Sequence, residues 1–120
     1  MKRILIVDDD VQMREMLRQM LEREGYSVAD APDGKVAMKL FGEEPADLVI
    51  TDLIMPEKEG IEMIREFRRD FPEVKIIAMS GGGFIGPETY LKIAKGMGAM
   101  RTFAKPVGRE ELLEAIIELT

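Results

Sequence analysis

The 120-residue chain contains no cysteine, no histidine and no tryptophan. Without cysteine there is no disulfide, no thiolate nucleophile and no sulfur-ligated metal. Without histidine there is no Ser-His-Asp triad and no imidazole-bound zinc. Chemistry in this chain therefore rests on carboxylates, lysine, hydroxyls, or a cation held by oxygen. Long apolar runs are also missing, and none approaches the ~18 residues of a membrane span. Basic charge is in deficit: 17 Lys and Arg face 23 Asp and Glu, for a net charge of −6. An acidic domain repels nucleic acid phosphates and anionic lipid, so no direct nucleic acid binding and no membrane binding are expected.

What is present fits one domain, since a chain of this length buries roughly two-thirds of its unfolded surface. Met1-Lys2-Arg3 leads directly into an apolar run with no signal peptide pattern, and a cytoplasmic protein is expected. Ile4–Val7, Leu48–Ile50 and Val74–Met79, the last broken only by Lys75, are short apolar runs without alternation. Such runs suit strands buried on both faces of a parallel sheet. Val28-Ala29 and Thr102–Ala104 are weaker runs, read as the second and fifth strands.

Helical stripes lie between them. Met13, Met16, Leu17, Met20 and Leu21 share one helix face, and Gly25 closes it. Val36, Ala37, Leu40 and Phe41 form a second stripe; Ile61, Ile64 and Phe67 form a third. Tyr90, Leu91, Ala94 and Met97 make a weaker fourth, and Leu112, Leu113, Ile116, Ile117 and Leu119 a fifth. Five alternations of strand and helix predict an α/β fold: a doubly wound (βα)5 parallel sheet with helices on both faces. Residues 1–120 read as a single domain with no output domain in this chain.

In such folds the functional crevice lies outside the carboxyl ends of the strands. Here those ends are Asp8-Asp9-Asp10, Thr51-Asp52, Ser80 and Ala104-Lys105-Pro106. Taken singly, a strand-end aspartate is a turn former or a helix cap. Asp10 is read as the cap of the first helix, and Asp30 and Asp33 as turn residues. Several carboxylates converging on one rim are another matter. They must share protons or surround a cation, and an all-oxygen set favours a hard ion such as Mg²⁺. Asp8, Asp9 and Asp52 against Lys105 and one Mg²⁺ balance to zero charge.

These motifs, in this order, resemble the receiver domain of the two-component response regulators. The likeness spans the whole chain: Asp8-Asp9, Asp52-Leu53-Ile54-Met55-Pro56 with Gly60, Ser80-Gly81, and Lys105-Pro106. The resemblance implies a flavodoxin-like sheet with strand order 2-1-3-4-5. It implies that Asp52 accepts a phosphoryl group from a partner phosphohistidine, with Mg²⁺ present. Asp9 resembles the main metal ligand, Asp8 its partner acting partly through metal-bound water, and the Ile54 carbonyl a further ligand. Lys105 resembles the ammonium that meets the phosphoryl group, and Pro106 implies the family's cis peptide. Ser80 resembles the switch hydroxyl, with small Gly81 beside it leaving the phosphoryl group open to approach. The implied partners are a sensor histidine kinase or phosphotransfer protein, and a homodimer through the fourth helix, fifth strand and fifth helix. The chain is not expected to be an enzyme beyond its own phosphorylation and dephosphorylation.

Two features depart from the family pattern. The family's switch aromatic stands three residues before the lysine, where this chain has Thr102. Phe103 is one residue later and is expected on the opposite sheet face. Two other functions match part of the pattern. A haloacid-dehalogenase-type phosphatase would start from Asp8-x-Asp10 but leaves Asp52 and Lys105-Pro106 unexplained. A degenerate receiver serving only as a binding module has no need of Asp9, Asp52, Ser80 and Lys105.

The second departure is Gly81–Pro87, about three residues longer than the family norm. Its glycines predict a loop that orders on phosphorylation. Amide exchange across residues 81–86 is expected to slow when a phosphoryl mimic is added; equal exchange in both states would refute this.

Overall fold

The computed structural model describes the backbone of residues 2–53, 60–81 and 87–120 and their side chains, except those of 60–61 and 87–91. Among the described residues, strands β1 (Arg3–Val7), β2 (Ser27–Ala31), β3 (Leu48–Asp52), β4 (Ile76–Ser80) and β5 (Arg101–Ala104) alternate with five helices. These are α1 (Val11–Arg23), α2 (Gly34–Glu43), α3 (Gly60–Asp70), α4 (Pro87–Gly96) and α5 (Arg109–Leu119). The strands form one parallel sheet in the order β2-β1-β3-β4-β5.

Burial follows the strand order. Every residue of β3 and β4 is buried, whereas edge strands β2 and β5 are mostly half-buried. This is why the inner strands read as unbroken apolar runs and the edges do not. Alternate residues feed two cores. Leu5, Val7, Val49, Ile76 and Ala78 pack with α2, α3 and α4; Ile4, Ile6, Leu48, Ile50, Ile77 and Met79 pack with α1 and α5. Strand four starts at Ile76 rather than Val74, which lies just ahead of the strand in the first of these cores.

Local chemistry sets the helix ends. The Asp10 carboxylate caps α1, accepting from the Gln12 and Met13 amides, as the sequence predicts. Asp33 does the same for α2 through the Val36 amide. Gly25 follows α1 at φ 92, a left-handed angle that glycine adopts without a Cβ clash. The α1 stripe is narrower than expected. Leu17 and Leu21 are fully buried and Met13 and Met20 pack against them, but Met16 is 53% exposed. Met16 sits about 100° around the helix from Leu17, off the centre of the buried face. Val36 and Ile117 are likewise exposed at the margins of their stripes.

The first core closes on an aromatic cluster. Phe67 is fully buried, with its ring edge-on to Phe41 at 5.1 Å and 6.1 Å from Phe71. Phe67→Ala is expected to cost about 3–5 kcal/mol, read from the urea unfolding midpoint.

Candidate functional site

Parallel strands all point their carboxyl ends at one rim, so the residues just past β1, β3, β4 and β5 meet there. Asp8 follows β1 and is fully buried. Asp52 ends β3, with its side chain 8% exposed. Asp9 is exposed. One carboxylate oxygen from each of the three lies within 4.8 Å of the others. Lys105 reaches in from beyond β5, its Nζ 2.9 Å from Asp8 Oδ2 and 3.4 Å from Asp52 Oδ2. The Lys105–Pro106 peptide is cis, as the resemblance implies. Ser80, at the end of β4, is fully buried, and its carbonyl accepts from the Lys105 amide at 2.9 Å. The rim thus brings together Asp8, Asp9, Asp52, Ser80 and Lys105. Ile54 and the loop residues 82–86 lie outside the described residues.

Burial works to lower the Lys105 pKa. The hydrogen bond to Asp8 and the charges of Asp52 and Asp8 outweigh it, so the pKa stands above the ordinary lysine value. Lys105 is therefore a fixed cation, and among the described residues its one positive charge faces three carboxylates. The remaining deficit, the all-oxygen donors and their close spacing fit a divalent hard cation of the Mg²⁺ type. Lys105 holds both Asp8 and Asp52, and the Asp10 amide holds Asp8 as well, while Asp9 supplies the water-facing donor.

Thr102 and Phe103 fall on opposite faces. Thr102 aligns with Ala78, on the α2–α3–α4 side. Phe103 packs on the α1–α5 side, with the Arg101 guanidinium 5.7 Å above its ring. Phe103 therefore does not stand in for an aromatic at position 102.

Asp30 is not a turn residue. It lies inside β2 and its carboxylate pairs with Arg18 at 2.9 Å. One neighbour of the site lies outside the residues singled out above: Arg14, whose Nη1 donates to the Asp8 carbonyl at 2.8 Å. Its sequence signal is an arginine near a helix start, where a cation opposes the helix dipole.

A family model described as the response regulator receiver domain matches residues 4–117. The chain belongs to this family. Receiver domains are the phosphoaccepting modules of two-component signalling and interact with histidine kinases or phosphotransfer proteins. This receiver domain is 36% identical to the chemotaxis protein CheY of Thermotoga maritima over 116 residues, covering 96% of this chain and 94% of that one. It is 30% identical to sporulation initiation phosphotransferase F of Bacillus subtilis, covering 96% and 90%. Among solved structures, the response regulator TrrA of Thermotoga maritima, in complex with Mg²⁺ and BeF, matches with a TM-score of 0.88. It is 33% identical, and the match covers 100% of both chains. Among the described residues, no helix is long and apolar enough to cross a membrane.

Gly81 has a specific packing role beside the site. A Cβ built there would stand 3.2 Å from Lys105 Cβ and 3.3 Å from its Cδ. The lysine stem must therefore give way to any side chain at 81. Gly81→Ala is expected to slow phosphoryl uptake about tenfold, because small displacements of a positioned group are costly. The rate of adduct formation with a small phosphodonor, followed by intact mass, measures it.

Proposed function

We propose that Asp52 is the phosphoacceptor of this receiver domain, and that it takes the group from a phosphohistidine on a partner kinase or phosphotransfer protein. The observation that carries this reading is the Lys105 ammonium held between Asp8 and Asp52 at 2.9 and 3.4 Å, beside a three-carboxylate cluster. An Asp52 oxygen attacks phosphorus, and the P–N bond to the partner's imidazole breaks, returning its electron pair to the ring. The histidine must be the partner's, since this chain has none. Phosphoryl transfer spreads negative charge over the phosphoryl oxygens, so catalysis is mostly positioning and electrostatics.

Each residue then has a task. The Lys105 ammonium pairs with a phosphoryl oxygen. The Ser80 hydroxyl donates to another, and because its carbonyl already accepts from the Lys105 amide, the two donors share one backbone ladder. Asp8, Asp9 and Asp52 would hold Mg²⁺, which would supply positive charge to offset that of the carboxylates and the phosphoryl group. The TrrA complex with Mg²⁺ and BeF supports carrying this arrangement over. Phosphorylation replaces a charge of −1 on Asp52 with roughly −2, and that local change biases the switch at Ser80. The chemistry is confined to the chain's own aspartyl phosphate, formed and hydrolysed at one residue. No observation favours the phosphatase reading: Asp8 is fully buried, with Oδ1 accepting from the Asp10 amide and Oδ2 from Lys105.

With Mg²⁺ and acetyl phosphate, the wild type is expected to gain one phosphoryl mass and Asp52→Asn none. An adduct that persists in Asp52→Asn but requires Asp8 would overturn the assignment.

A further inference from the structure

Of the three carboxylates at the rim, Asp9 is the one whose side chain is held by none of the described residues. Asp8 is gripped by Lys105 and the Asp10 amide, and Asp52 by Lys105. Among the described residues, no hydrogen bond or ion pair reaches the Asp9 carboxylate. Its place is therefore set by its own backbone.

That backbone is pinned from behind. The Asp8 amide donates to Ala31 of β2 at 3.1 Å, and the Asp8 carbonyl, which opens the peptide leading to Asp9, accepts from Arg14 Nη1 at 2.8 Å. The Arg14 side chain is only 16% exposed, and its Nε lies 3.8 Å from Asp30 Oδ1. Asp30 in turn is locked by Arg18, whose Nε and Nη2 each lie 2.9 Å from Oδ2, while Arg18 Nη1 donates to the Val28 carbonyl at 3.1 Å. Two turns of α1 are thus tied to β2, and the chain of contacts ends on the Asp8–Asp9 peptide. A guanidinium suits the task, since its fork of donors can meet a carbonyl and a carboxylate at once.

We infer that Arg14 is a positioning residue for the cation site: through the Asp8 carbonyl it holds the Asp9 carboxylate in reach of Asp8 and Asp52. This rests on the reading of those three aspartates as the Mg²⁺ site. The sign of the effect separates positioning from simple electrostatics. Arg14 carries a positive charge beside a cation site, so removing that charge alone would tighten Mg²⁺ binding. Loss of positioning weakens it, and residues that orient metal ligands from behind are typically worth about 10- to 100-fold in metal affinity.

The experiment is a calorimetric Mg²⁺ titration of the full chain, with the thermal midpoint measured without metal as a control for folding. Arg14→Gln is expected to raise the Mg²⁺ Kd about tenfold. Arg14→Lys, which keeps the charge but cannot serve both partners, is expected to fall between. Asp30→Asn leaves Arg14 charged but loosens its anchor; it also weakens binding, and it keeps the test open should Arg14→Gln lose its cooperative melt. A lowered midpoint with an unchanged or tighter Kd in Arg14→Gln and Asp30→Asn overturns the proposal. A wild type that binds no Mg²⁺ overturns the site reading and the proposal with it.

Discussion

Three carboxylates held within 4.8 Å of one another repel, and among the described residues one lysine, Lys105, pairs with them. The arrangement around the rim answers that imbalance. Lys105 spans Asp8 and Asp52 and is kept charged by them, against the pull of its own burial. Asp8 gives one oxygen to Lys105 and the other to the Asp10 amide. What is left over is a concentrated negative potential open to water on the Asp9 side. Such a site is poised for a hard cation and, with it, for a phosphoryl group.

The fold delivers this concentration without a dedicated scaffold. In a parallel sheet every strand ends on the same side, so four unrelated strand ends become neighbours. β3 and β4 are buried along their full length, which places Asp52 and Ser80 at the ends of two fully buried strands. β1 lies between β2 and β3, and its exit is braced by α1 through the Asp10 cap and the Arg14 bond to the Asp8 carbonyl. Sites on sheet ends hold their geometry better than sites built within loops.

Much of this is legible in the residues themselves. The order of elements, the parallel sheet and the rim of Asp8, Asp52, Ser80 and Lys105 all follow from short apolar runs ending in polar residues. The strand order follows from resemblance, because local pattern carries no information on which strands pair. Other features escape the sequence for physical reasons. Asp30 reads as a turn former, since its propensity is the same whether or not two arginines wait across from it; only the docking of α1 on β2 makes it a strand residue. Met16 fits a helical stripe by spacing, yet the buried face is centred on Leu17 and Leu21. Arg14 acts through a carbonyl, and a backbone acceptor leaves no mark in a side-chain motif.

Phe103 and Thr102 sit back to back across the sheet, one against α1 and α5, the other beside Ala78 on the α4 side. The consequence is one for protein engineering. An aromatic toggle cannot be created here by adjusting the ring already in the strand, because any rotamer of Phe103 stays in the wrong compartment. It would have to be grafted at position 102, with Phe103 left in place to fill the core behind it.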